Sequence, residues 1–235
     1  MSRIVAITGG AGALGGELAR LLAGRGDKVA LFDTERGRER ATALAKEIDG
    51  FVHVSSFRSA EDWAAALAAT TVALGGVPTA AALVAGGWAG GAPVHEAKDE
   101  EAWTSMMSAN ADSVYRALHA LLPGMVAAKG GSVVVVGSRA ATRPWTSGGS
   151  AAYAASKAAV VALAQTVAAE VLEHGVRVNA VLPSTMDTPA NRAAMPDADA
   201  TKWVSLASAA GVIAFLLSDD ARDVSGAALP VYGRA

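Results

Sequence analysis

A tyrosine and a lysine stand four residues apart in Tyr153-Ala-Ala-Ser-Lys157, inside a stretch dense in alanine that favours a helix. Residues so spaced share a helix face, so the phenol and the ammonium enter the same space. A cation beside a phenol lowers its pKa, which suits Tyr153 to give or take a proton near neutral pH. The bland alternative is a surface pair. Ser138 argues against it, because it follows Gly137 at the end of a β-branched run, where a hydroxyl would meet a ligand at a sheet edge. A second constellation is Thr8-Gly9-Gly10-Ala11-Gly12-Ala13-Leu14-Gly15, in which Gly10, Gly12 and Gly15 have the spacing G-x-G-x-x-G. That spacing gives a tight turn, a backbone open to a pyrophosphate, and a helix N-terminus whose free N–H groups attract the anion. Asp33 ends the next apolar run, 23 residues after Gly10. A carboxylate there accepts both ribose hydroxyls of an adenosine and repels a 2′-phosphate, so NAD(H) is expected and NADP(H) less so. Arg36 and Arg38 either oppose that preference or are solvated charges opening a helix.

The elements that must position these residues alternate along the chain. Strands are expected at Ile4–Thr8, Val29–Phe32, Phe51–Val54, Ala80–Val84, Ser132–Val136, Val176–Val181 and Ala228–Val231. Helical patterns fill the gaps at Ala13–Ala23, Arg36–Ile48, Ala60–Leu74, a long Glu100–Ala128, Ala152–Leu172 and Lys202–Leu217. The strands read as continuous apolar runs, as in Val133-Val134-Val135-Val136, which means burial on both faces and hence a parallel sheet covered by crossover helices. The expected fold class is α/β: a single-domain, Rossmann-type doubly wound parallel sheet of seven strands with helices on both faces. Ligands in such sheets bind beyond the carboxyl ends of the strands.

Composition narrows the function classes. The 235 residues suit one large domain, and 52 % hydrophobic against 18 % charged residues supplies a packed core. The net charge of −2 is too weak a field to favour nucleic acid or an anionic membrane as partner. No cysteine is present, which removes disulfides, thiolate metal sites and a cysteine nucleophile, and fits a reducing, cytoplasmic location. His53, His95, His119 and His174 are scattered without ligand spacing, so no metal is expected. The N-terminal apolar run is too short for a signal peptide. The longest apolar stretches, such as Val133–Val136 and Gly211–Leu217, fall short of the roughly 20 residues of a membrane helix.

Over essentially its full length the chain resembles the short-chain dehydrogenase/reductase family. Thr8–Gly15 resembles the family's glycine motif, with Ala13 where a glycine is usual. Ser138, Tyr153 and Lys157 match the family's triad, and Asn110 the asparagine that completes a tetrad. Arg177-Val-Asn179-Ala-Val-Leu-Pro183, followed by Met186 and Thr188, resembles the segment flanking the nicotinamide, with Ser184 replacing a glycine; Gly226 also has its family counterpart. Leu83-Val84-Ala85-Gly86 stands where the family has Asn-Asn-Ala-Gly. The strings Val84–Gly91 and Leu182–Pro196 are similar to those of dihydropteridine reductases, which use NADH in agreement with Asp33.

The resemblance implies that Tyr153 is the general acid/base and that Ser138 polarises the substrate oxygen. Lys157 would bind the nicotinamide ribose and tune the tyrosine, and Asn110 would hold a relay water. Thr8, Gly9, Gly10, Gly12, Ala13, Leu14, Gly15, Asp33, Ala85, Gly86, Pro183, Met186 and Thr188, with Tyr153 and Lys157, would line the dinucleotide. It also implies a small-molecule substrate and a homodimer or homotetramer formed through the long helices. Reduction of a small carbonyl or imine-like carbon is the leading expectation, with quinonoid dihydropterin reduction as the narrower alternative. A silent dinucleotide-sensing regulator is the third, and it would be expected to have lost the tyrosine or the lysine. Trp88 and Trp145 fall in loops bordering the crevice, where each ring either stacks on substrate or caps its loop. Asn191, Arg192 and Met195 lie in a segment able to fold over the site as a lid, or serve as helix caps and a packed methionine.

Overall fold

The computed structural model describes residues 3–234. Its centre is a seven-stranded sheet in the order β3-β2-β1-β4-β5-β6-β7. The strands are β1 Ile4–Thr8, β2 Lys28–Asp33, β3 Phe51–Val54, β4 Ala80–Leu83, β5 Gly131–Val136, β6 Val176–Pro183 and β7 Ala228–Val231, and every neighbouring pair is parallel. The uniform valines of β5 alternate between two cores. Val134 and Val136 face a layer containing Leu18, Leu22, Ile213 and Leu217, and Val133 and Val135 face one containing Leu118, Leu121, Val160 and Ala164. That division is why the strand has no polar alternation: water reaches neither face.

The helices are α1 Ala13–Gly24, α2 Arg38–Glu47, α3 Ala60–Leu74, α4 Glu101–Met106, α5 Ser113–Ala127, α6 Arg139–Thr142, α7 Ala151–Val171, α8 Pro189–Ala194 and α9 Leu206–Leu217. Four expectations need correction. The long helix expected over Glu100–Ala128 is interrupted, because Met107–Asp112 is π-helical and separates α4 from α5. The wider turn sits where Asn110 enters the core, a packing demand that periodicity does not record. The second helix opens at Arg38 rather than Arg36, after a 3₁₀ turn at Glu35–Gly37. The last begins at Leu206, where the Ser205 hydroxyl accepts the Ser208 N–H at 3.1 Å and so fixes the start beyond Lys202. By length and composition the helix Ala151–His174 is apolar enough to cross a membrane, contrary to the sequence reading. Here it packs on the sheet, burying Val160, Val161, Ala164 and Ala168.

Between β1 and β4 the strand order reverses, which opens a crevice beyond the carboxyl ends of these strands. The loops after β1, β2, β4, β5 and β6 converge on it.

Candidate active site

The loop after β1 is held by its own backbone. Gly9 donates to the Phe32 carbonyl at 2.8 Å, and Gly12 donates back to the Gly9 carbonyl at 2.9 Å. Gly9 has φ of +66°, and a Cβ there would lie 2.9 Å from the Ala85 Cα, so both conformation and space require glycine. A Cβ on Gly15 would overlap the Gly9 carbonyl. Gly12 caps α1 without a side-chain hydrogen bond, which leaves the first amides of the helix, at Ala13 and Leu14, free to meet an anion. The Leu14 side chain itself is buried in the core. Thr8 ties this loop to the next one, its hydroxyl accepting the Ala85 N–H at 3.2 Å. Asp33 ends β2 with its carboxylate against the glycine loop, accepting the Ala11 N–H and the Thr34 N–H at 2.8 Å each. Arg38 is clipped to Glu35 by two bonds of 2.6 Å and faces away in solvent, and Arg36 is exposed. A cradle of bare glycine backbone, uncapped helix amides and an adjacent carboxylate fits the adenosine diphosphate half of a dinucleotide.

The second half of the site is built by α7 and the end of β5. Tyr153 and Lys157 lie one turn apart on one face of α7, and the half-buried Tyr153 phenol stands beside the Ser138 hydroxyl. Ser138 also caps α6, accepting the Ala140 N–H at 3.2 Å, which orients its side chain. Lys157 is buried and donates to the Val136 carbonyl at 2.8 Å. Burial pushes its pKa down to about 8. The Tyr153 phenol is pushed up by burial, against a smaller lowering from the Ser138 hydrogen bond. The expected lowering by the Lys157 charge is therefore corrected: loss of solvent outweighs every favourable contact the phenolate has, and the ammonium is directed to a carbonyl.

Asn110 is fully buried. Its amide oxygen accepts the Gly87 N–H at 2.9 Å while its amide nitrogen donates to the Gly87 carbonyl at 3.1 Å and to Ser156 Oγ at 2.9 Å. It clamps the loop after β4 to α7, a structural task not expected from the sequence. A Cβ on Gly86 would fall 2.6 Å from the Asn110 Oδ1 and 3.3 Å from the Lys157 Nζ, so Gly86 lets both side chains approach the loop backbone. Ser156 was missed by the sequence reading, although it stands inside the Tyr153–Lys157 motif; it bridges Asn110 to the Tyr153 carbonyl at 2.8 Å. Gly90 was also missed: a Cβ there would overlap the Ser150 hydroxyl, and the neighbouring Gly91 N–H reaches the Gly149 carbonyl at 2.8 Å. Close approach between distant loops leaves no signature in local spacing.

Pro183 ends β6, and the chain then makes an excursion whose ends meet at a bridge between Met186 and Val204. Thr188 caps α8 through the Asn191 N–H at 3.1 Å, and the Asn191 side chain donates to the Met186 carbonyl at 2.8 Å. Arg192 grips Asp187 at 2.6 and 2.8 Å. Asn191 and Arg192 thus hold the segment's own shape, which is the capping alternative, whereas Met195 is 39 % exposed rather than packed. Trp88 and Trp145 are 64 % and 78 % exposed, so neither ring is folded into its loop. Arg177 and Asn179 lie away from the crevice, binding the Leu216 carbonyl in the last turn of α9 and the Ser218 and Val224 carbonyls beyond it.

With this geometry in view, the family model for the short chain dehydrogenase matches residues 3–199. The chain is 30 % identical to the 2,5-dichloro-2,5-cyclohexadiene-1,4-diol dehydrogenase LinX of Sphingobium indicum, an alignment covering 98 % of this chain and 95 % of that one. Among solved structures it is similar to levodione reductase, with TM-score 0.87, 29 % identity, and coverage of 98 % and 96 %. It is likewise similar to the 3-ketoacyl-(acyl-carrier-protein) reductase of Brucella melitensis complexed with NADH, with TM-score 0.87, 26 % identity, and coverage of 99 % and 98 %. The sequence match and the parallel sheet agree, and the chain belongs to the short-chain dehydrogenase/reductase family of NAD(P)-dependent oxidoreductases.

Proposed function

We propose that this protein is an NAD(H)-dependent reductase of a small carbonyl or imine-like substrate, with Tyr153 as general acid/base. The observation that carries the proposal is a half-buried phenol beside the buried Ser138 hydroxyl, one turn from a buried Lys157. The dinucleotide, when bound, supplies the hydride. The glycine loop and the amides of Ala13 and Leu14 would hold its pyrophosphate, and Asp33 its adenosine ribose. Ala85, Gly86, Lys157, Pro183, Met186 and Thr188 would flank the remainder. Asp33 favours NAD(H) because a 2′-phosphate would bring like charge against the carboxylate, and Arg38 is already neutralised by Glu35.

At the reacting centre the Ser138 hydroxyl orients the substrate oxygen, and the protonated Tyr153 donates to that oxygen as its charge develops. A phenol held up in pKa stays protonated through neutral pH, which suits reduction. The Lys157 ammonium adds positive charge under the phenolate that forms. Trp88 and Trp145, exposed beside the crevice, supply flat apolar faces for a cyclic substrate. The Sphingobium relative acts on a cyclohexadiene diol by name, which makes cyclic diketones and diols the first compounds to assay.

Tyr153→Phe should leave the NADH dissociation constant within about twofold while lowering kcat by ~100-fold or more. Measured turnover equal to the unsubstituted enzyme would refute the role. An assay panel containing cyclic diketones and quinonoid dihydropterin separates general carbonyl reduction from the pterin alternative. NADH binding without reduction of any member would favour the sensing role instead.

A further inference from the structure

Tyr232 follows β7 and belongs to none of the motifs above. We infer that it is a positioning residue that locks the Ser138 turn to the turn after β6; the consequence for turnover rests on the oxidoreductase reading, whereas the anchoring does not. Its hydroxyl hydrogen-bonds Thr142 Oγ1 at 2.9 Å, and the Arg143 guanidinium lies over its ring at 5.1 Å. Its carbonyl accepts the Ser184 hydroxyl at 2.7 Å, while the preceding Val231 carbonyl accepts the Ser184 N–H at 3.1 Å. Two residues later the Arg234 N–H reaches the Lys202 carbonyl at 3.1 Å, at the far end of the excursion after β6. A four-residue segment therefore grips the end of α6, the turn after β6 and the far end of the excursion that begins there.

The need for such an anchor follows from the length of α6. Ser138 is its N-cap and Thr142 its last residue, so the helix has only four residues, far below the length at which a helix holds itself. Its Ala140, Ala141 and Arg143 N–H groups bond only to Ser138 and Arg139. Tyr232 pins the C-terminal end of this turn, and the position of the Ser138 hydroxyl depends on the turn remaining formed. On the other side, Ser184 follows Pro183 directly, so the same residue sets where β6 releases the chain into the excursion. The Tyr232 ring, half-buried in the same apolar layer as Ala141 and Leu182, makes the tie stiff.

The test uses the full chain with Tyr232→Phe, which removes only the hydroxyl, Tyr232→Ala, which removes the ring as well, and Thr142→Val. Backbone amide exchange is followed by mass spectrometry, alongside NADH affinity and the steady-state constants for a cyclic diketone. Tyr232→Phe should speed exchange over 140–143 while leaving the melting temperature and NADH affinity essentially unchanged. It should lower kcat by ~10-fold, with a smaller change in KM, as expected for a displaced hydroxyl rather than a lost binding contact. Thr142→Val should reproduce this, and the double variant should be no worse than either. Tyr232→Ala should extend the faster exchange to 184–187. Changes confined to 231–234, or an unchanged kcat in Tyr232→Phe, would overturn the assignment. Should the unsubstituted protein reduce no probe while exchange over 140–143 still responds, the anchoring stands and the oxidoreductase reading falls.

Discussion

At the scale of single residues, the site is governed by burial. Lys157 carries the largest consequence, since its folded pKa of about 8 lies below its ordinary 10.5. The unfolded chain therefore binds more protons between these values, and stability rises with pH across that window. Below about pH 8 the folded protein bears the full cost of a buried ammonium. Lys157→Met removes the cost, so denaturant unfolding should show the variant gaining most relative to the parent at pH 7 and least near pH 10. A difference independent of pH would contradict the burial assigned to Lys157. Tyr153 shifts the other way, and the two reaction directions should separate accordingly. Reduction needs the protonated phenol and should persist from neutral into mildly alkaline solution, whereas oxidation needs the phenolate and should climb with pH. Identical profiles in both directions would place the proton exchange elsewhere. The spacing of Tyr153 and Lys157, read with Ser138, singled out this pair in the sequence, but the sign of the phenol shift was not legible, because spacing carries no information about solvent.

At the scale of elements, the loops after β4 and before α7 behave as one unit. Asn110 occupies both polar backbone groups of Gly87, and Gly90 touches Ser150. Asn110→Leu leaves these half-buried groups without their partner, at a cost of roughly 1 kcal/mol or more in all. The variant should melt several degrees lower, and kcat/KM should fall more than NADH affinity does. Retention of both parental stability and kcat/KM would show that the clamp is dispensable. A bulkier side chain at Gly90, as in Gly90→Val, should separate the two loops and raise KM with little effect on the glycine loop. Of these elements the sequence disclosed the strands nearly to the residue, since unbroken apolar runs bounded by glycine mark buried strands. It concealed the π-helical turn at Met107–Asp112, because that turn answers to where Asn110 must point rather than to any local preference.

Across the whole molecule, NADH that binds the folded state alone should stabilise it by about 2.7 kcal/mol at one hundred times its dissociation constant. A larger upward shift in melting temperature with NADH than with NADPH is expected from Asp33, and Asp33→Ser should narrow it. The outer face of α7 presents Ala155, Ala158 and Ala162, beside an apolar cavity of about 500 Å³ lined by Val94, Pro144, Gly149 and Ala158. We propose that a second copy covers this face, in keeping with a homodimer or homotetramer. Ala162→Arg should then shift the sedimenting species toward the monomer, whereas an unchanged distribution would exclude α7 from the contact.

The sequence by itself determined the α/β class, the strands, the glycine turn with Asp33, and the pairing of Tyr153 with Lys157. Each of these is written in short-range order: hydrophobic period, glycine spacing, or residues one helical turn apart. Only the tertiary structure decided which way the ionisations move, that Asn110 grips Gly87, that Asn191 serves its own segment, and that Tyr232 reaches the Ser138 turn. The Asn110 and Tyr232 contacts join positions tens of residues apart, and the energies of all these interactions depend on how much water is excluded where they meet. Chain order fixes neither quantity before the sheet has formed and its loops have come together.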